Sequence, residues 1–183
     1  MARRMLVALV ALALLAPASA HARQRVTGPG FRTVAPSGWH VKHGHGGGWR
    51  ITTVSSPAAR GGAQVQNAVL VTIGSIPAKS LARRWGKSTV PRDPVKLEQA
   101  LLGLPPGVQG YTPVLNPTAT TFARKPGGTS ILAYTFGGTS ARQTDIVVRR
   151  GRRVFQVQVL TDANLVDVGN SALNLLRSHW RWR

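Results

Sequence analysis

Three histidines within six residues, His40, His43 and His45 in His-Val-Lys-His-Gly-His, are the first side chains in this sequence with the means to do chemistry. Imidazole suits copper, zinc and nickel, and two histidines one residue apart point the same way on a strand. Gly44 and Gly46 to Gly48 would let a loop wrap around an ion. No Cys, Met or carboxylate stands nearby to complete a ligand shell, so a solvated hairpin tip competes with a metal site at this place. His21 would be a further ligand if processing after Ala20 exposed it, since a free amine beside an imidazole chelates copper.

The second constellation is Arg149-Arg150-Gly151-Arg152-Arg153. Four guanidiniums at one tight turn can grip phosphate or carboxylate through paired N–H donors. Arg83-Arg84 and Arg177, Arg181 and Arg183 are candidates to extend the same face. The competing reading is a solvated turn whose charges discourage edge-to-edge pairing of strands.

Catalysis finds little support. The five carboxylates are Asp93, Glu98, Asp145, Asp162 and Asp167. Asp93, Asp162 and Asp167 fall where helices begin, and Glu98 and Asp145 form no evident general acid–base pair. There is no G-x-S-x-G elbow, H-E-x-x-H, P-loop or dinucleotide fingerprint. A Ser–His–Asp hydrolase, whose residues meet only in space, stays as a third reading behind binding and metal ligation. No cofactor is implied.

The first twenty residues give a compartment. Met1-Ala2-Arg3-Arg4 is basic, Met5 to Leu15 is apolar and uncharged, and Ala16-Pro17-Ala18-Ser19-Ala20 ends in an A-x-A pattern. That layout predicts a secretory signal peptide over 1–20. Its apolar run is about half the length that crosses a bilayer, and no other stretch is longer, so no transmembrane segment is expected in the mature chain. The chain has no cysteine, so neither a disulfide framework nor a lipid-modified cysteine is available. It carries 24 Lys and Arg against five Asp and Glu; removal of Arg3 and Arg4 leaves 22 and five, a net charge of +17. Such a field attracts anions. Export argues against a genomic nucleic-acid role and for anionic envelope polymers or lipid head groups as partners.

The elements that must position these residues read as strands, then short helices, then strands. Residues 21–30 are polar and predict a flexible lead-in, followed by one domain over 31–183. Phe31 to Val34 reads as a strand, as does Trp39-His40-Val41, which the Gly44–Gly48 loop is expected to interrupt before Trp49 to Val54 resumes. Gln64 to Ile73 alternates Val65, Val69, Val71 and Ile73. Ser75-Ile76-Pro77 predicts a helix start, with Ala78, Leu81, Ala82 and Trp85 on its apolar face and Gly86 as its stop. Asp93-Pro94 opens a second helix burying Leu97, Leu101 and Leu104, with Gly103 as its cap. A β-meander follows: Thr118–Arg124, Ser130–Phe136, Thr144–Arg149 and Arg153–Leu160. Its expected turns are Lys125 to Gly128, Gly137 to Ser140 and Arg150 to Arg152. Asp162 caps a last helix running to Arg177, and Ser178 to Arg183 alternates as a closing strand. Trp39, Trp85, Trp180 and Trp182 are expected in the core and Trp49 at the surface.

Phe31-x-x-Val34-x-Pro36-x-Gly38-Trp39 resembles the opening strand and turn of the PsbP-like fold family. The hairpin from Arg149 to Leu160 and the ending Leu175-Leu176-Arg177-Ser178 with Trp180-Arg181-Trp182 resemble its late hairpin and its closing helix and strand. The resemblance covers roughly residues 31–183; His179 and the Gly44–Gly48 insertion depart from it. The family includes an extrinsic photosystem II subunit, a Ran-binding nuclear import factor and many secreted bacterial proteins. It implies an α+β fold in which an antiparallel sheet with a β-meander is flanked by helices. Together these readings predict an exported, non-catalytic binding or accessory domain at the cell envelope.

Overall fold

The computed structural model describes residues 23–59, 66–102 and 108–183. The predicted signal peptide, His21, Val65, Gly103 and Leu104 lie outside them. Seven strands form one antiparallel sheet in the order β3-β4-β5-β9-β8-β7-β6. They are β3 (His40–Gly46), β4 (Trp49–Ser55), β5 (Val69–Pro77), β6 (Gln109–Phe122), β7 (Lys125–Phe136), β8 (Thr139–Arg150) and β9 (Arg153–Asp162). A second sheet, β1-β2-β10, joins Arg25–Gly28, Phe31–Val34 and Arg181–Trp182. The helices are α1 (Ala78–Arg84), α2 (Pro94–Leu101) and α3 (Val166–Ser178).

Strand alternation divides the core into two layers. Val71, Ile73, Val148, Phe155 and Val157 face one way, onto Ala172 and Leu176 of α3 and onto Val26, Phe31 and Trp180. Ile76, Val147 and Val154 face the other way, onto Leu81 and Ala82 of α1 and Leu97 of α2. The result is an α/β/α sandwich with the small sheet lying beside α3. Burying each large aliphatic side chain on these faces contributes roughly 1.5–3 kcal/mol.

Several local expectations need correction. Part of the expected lead-in is a strand: β1 pairs with β2 from Arg25↔Val34 to Gly28↔Phe31, because Val26 fills the core. Gly44 and Gly46 do not form a loop; β3 continues through them, and Gly47-Gly48 alone make the turn at φ +53 and +80. Ser75 does not cap a helix but lies buried in β5, and α1 begins after Pro77. Lys125 to Gly128 is not a turn. Gly127 and Gly128 lie inside β7, where a Cβ on Gly128 would meet the Pro94 carbonyl and, at 2.8 Å, the Glu98 Cβ. Glycine serves there to let α2 approach the sheet, and the turn falls on Ala123-Arg124 instead. Trp49 is half-buried over Gly74 and packs on the α1 side. The Asp93 cap is as read: its Oδ1 accepts from Lys96 N at 2.8 Å, with Pro94 in the first helical position.

Candidate polyanion-binding face

The β8–β9 hairpin closes on Arg150↔Arg153, with Gly151 at φ +55 in the turn. A strand places neighbours on opposite faces, so the four hairpin arginines separate into two pairs. Arg149 turns toward α1 and α2, and its Nη1 donates to the Val90 carbonyl at 3.2 Å. Arg152 lines the same side; with Lys79, Ser88 and Thr89 they border a pocket of about 330 Å³. Arg150 and Arg153 turn toward the small sheet. Arg153 Nε donates to Ser75 Oγ at 2.9 Å, while Arg150 lies 5.6 Å from the centre of the Trp182 ring and donates to the Arg183 carbonyl. The hairpin therefore does not present one four-fingered grip.

What it joins is larger. In the small sheet Val26, Phe31 and Thr33 point to the core, so Arg25 and Arg32 point outward. Arg32 pairs with Arg181 across β2 and β10, which sets two exposed guanidiniums side by side. Arg23 adds a hydrogen bond to His179 Nε2 at 3.0 Å on the same side. Around the corner Arg124, Arg177 and Arg181 line a groove of about 860 Å³ with Asn174, Ser178 and Trp182. Arg25, Arg32 and Arg124 were not singled out from the sequence. A period-two reading of β1 would have found the first of them, but their meeting with the C-terminus depends on the β2–β10 pairing.

Among the described residues no Asp or Glu side chain pairs with an arginine of this face. Asp93 and Asp162 accept backbone N–H donors, the latter from Asn67 and Asn164 at 3.0 Å each. Those two bonds hold the Asp162 carboxyl below its usual range. Glu98 and Asp145 are buried under α2. Asp167 sits exposed in the first turn of α3, as the helix dipole favours.

Glu98 and Asp145, which the sequence offers as no evident acid–base pair, are both buried. Glu98 lies on the sheet side of α2 and accepts from Ser130 Oγ at 2.5 Å. Asp145 accepts from Gln143 Nε2 at 2.5 Å and Gln156 Nε2 at 3.2 Å, and Tyr134 donates to Gln143 Oε1 at 3.1 Å. Burial pushes Glu98 up to about 7, against the pull of the Ser130 bond, and the Asp145 charge adds to the rise. Burial likewise raises Asp145, and it raises Tyr134 to about 12. Glu98 is 0 % exposed and Asp145 1 %, so neither carboxyl opens to solvent.

The histidines do not converge. His43 and His45 share one face of β3 and His40 takes the other. His43 Nδ1 is 3.1 Å from Thr52 Oγ1, and His45 stands opposite Arg50, a cation that disfavours a metal there. Among the described residues no group of three His, Cys, Asp or Glu is placed to hold a metal. No helix among them is long and apolar enough to cross a membrane. Of the tryptophans, Trp180 is buried at 3 % exposure, stacked on Phe31 with centroids 4.6 Å apart; Trp39, Trp85 and Trp182 are half-buried against the core.

A three-layer sandwich with a seven-stranded antiparallel sheet and a small sheet closed by the C-terminus defines a recognisable class. No protein family and no curated relative matches this sequence, but solved structures do. The cyanobacterial PsbP (CyanoP) of Synechocystis sp. PCC 6803 is similar, with a TM-score of 0.53 at 15% identity, over 94% of this chain and 99% of that one. LpqN, involved in cell envelope biogenesis of Mycobacterium tuberculosis, gives 0.42 at 13% identity, over 87% and 90%. A protein of unknown function from Pseudomonas aeruginosa gives 0.42 at 10% identity, over 83% and 91%. The chain has a PsbP-like fold.

Proposed function

We propose that this chain is an exported, non-catalytic accessory domain that acts at the cell envelope by binding anionic polymers or lipid head groups. Residues 1–20 direct export and residues 21–183 form the working protein. The observation that carries the reading is the outward row of Arg25, Arg32 and Arg181 on the small sheet, continuous with Arg150 and Arg183 at the hairpin and paired with no Asp or Glu side chain among the described residues. Four of the five acids bond to neutral donors rather than to guanidiniums, and the excess of 24 Lys and Arg over five Asp and Glu sustains a positive field. Non-catalytic action is supported by the burial of Glu98 and Asp145.

The test is binding of the mature protein to heparin, a sulfated polyanion, at increasing salt. Tight retention with a steep salt dependence is expected, since each guanidinium–anion contact releases counterions. Arg25→Ser with Arg32→Ser should weaken retention and leave the melting temperature in place. Retention indifferent to that pair, or no retention at low salt, would reject the reading.

A further inference from the structure

We infer that the groove between the β6–β7 turn and the end of α3 is a subsite for phosphodiester-linked polymer chains. The inference rests on the polyanion reading above and names the ligand class that this part of the surface takes.

Three elements deliver the groove's cations. Arg124 comes from the β6–β7 turn, Arg177 from the last turn of α3 and Arg181 from β10. Asn174, Ser178 and Thr121 supply uncharged hydrogen-bonding groups between them, and no carboxylate lines the site. Arginine only donates, and its planar fork matches the two non-bridging oxygens of a phosphodiester. Such a group has no proton to donate in return, which suits a lining dominated by donors. A volume of about 860 Å³ exceeds what one phosphate fills and fits a stretch of chain with successive charges.

The backbone at Arg124 is a second, independent observation. Ala123 and Arg124 sit at φ +48 and +65, in the left-handed region where a two-residue hairpin turn ordinarily takes Asn or Gly. The chain keeps a strained Arg there. Trp182 fixes the turn by donating its indole N–H to the Ala123 carbonyl at 2.9 Å. Strain held in place by surrounding contacts is a mark of positions retained for function. Here it sets Arg124 at the groove wall.

A soluble chain fits better than a membrane surface. Insertion into head groups needs apolar side chains exposed beside the cations. The exposed large apolar residues among those described are Tyr111, Val114, Leu115 and Val168, and none of them lines the groove.

The experiment compares three probes on the mature protein: a glycerol-phosphate oligomer, polygalacturonate of equal charge, and vesicles of phosphatidylglycerol. The oligomer should bind most tightly. Arg124→Lys with Arg177→Lys keeps the net charge but removes the forks, and should weaken oligomer binding about fivefold or more, while Arg50→Lys with Arg92→Lys, exposed arginines outside the proposed face, changes it less than about twofold. The Trp182 indole N–H resonance should shift on addition of the oligomer, and an unchanged melting temperature confirms that the Lys pair is folded. Equal binding of polygalacturonate, tighter binding of vesicles, or wild-type affinity in the groove Lys pair overturns the inference and leaves the wider polyanion reading standing. Failure to bind all three probes at low salt removes both.

Discussion

Ser130 donates its hydroxyl to Glu98 Oε1 across 2.5 Å, while the other carboxylate oxygen, Oε2, is buried with no hydrogen-bond partner. An acid held in this way is comfortable only when protonated. Folded, Glu98 keeps its proton up to about pH 7; its ordinary value is 4.5. Between those values folding binds a proton, so the stability contributed by Glu98 is full below about 4.5, declines as pH rises and is gone above about 7. Asp145, also raised, acts in the same direction. Asp162, lowered, acts in the opposite one, losing its contribution as the solution becomes acid. The melting temperature should therefore be higher near pH 5 than at pH 8. A shift of this size corresponds to about 3 kcal/mol, and Glu98→Gln should flatten the decline. A melting temperature that is level from pH 5 to 8 in the wild type would contradict this account.

Gly128→Ala should destabilise by about 1–3 kcal/mol, the range for overpacking. The added methyl meets the Pro94 carbonyl and Glu98 Cβ, so α2 must lift from the sheet. Chemical denaturation measures the loss, and a neutral result would show that α2 is not seated as described.

Trp180→Ala should cost about 3–5 kcal/mol. Trp180 stacks on Phe31 and meets Phe122 edge to face at 4.9 Å, so its removal opens a cavity where the small sheet, β6 and α3 meet. Unfolding midpoints in urea check this, and an unchanged midpoint would place the indole outside the core.

The hairpin arginines should behave unequally. Arg152→Ser should leave stability untouched, because its side chain is exposed in the turn. Arg150→Ser with Arg153→Ser should cost about 1–2 kcal/mol, through loss of the Trp182 contact and of the bond to Ser75. Equal thermal shifts for the two variants would show that the division of the hairpin into two faces is wrong.

Protein purified without a tag should carry well under one equivalent of copper, zinc or nickel. His40 faces away from His43 and His45, and a functional site needs outer partners that fix each imidazole. Elemental analysis giving close to one equivalent, lost in His43→Ala with His45→Ala, would restore the metal-binding reading.

Much of the fold was legible because it depends on local chemistry. Alternation in Arg153–Leu160, the Asp93-Pro94 helix start and the Leu176 stripe all rest on neighbours within a few residues. The misread places share a cause. Gly127-Gly128 looks like a turn in sequence, and only the approach of α2 shows why it lies within a strand. Ser75 looks like a helix cap, yet β5 runs on because Ile76 fills the α1 side of the sheet. The candidate face was half legible: the hairpin arginines announce themselves, whereas Arg25, Arg32 and Arg124 do not.

Sequence alone determined the positive charge, the want of cysteine and the antiparallel α+β pattern, since composition and period are properties of a chain before it folds. Tertiary structure decided which charges share a surface. Pairing of β2 with β10 brings residues 32 and 181 together, and alternation across the β8–β9 turn sends Arg149 and Arg150 to opposite sides. It also decided that Glu98 and Asp145, far apart in the chain and unremarkable as a pair, lie under one helix. There desolvation rather than their spacing sets their ionisation.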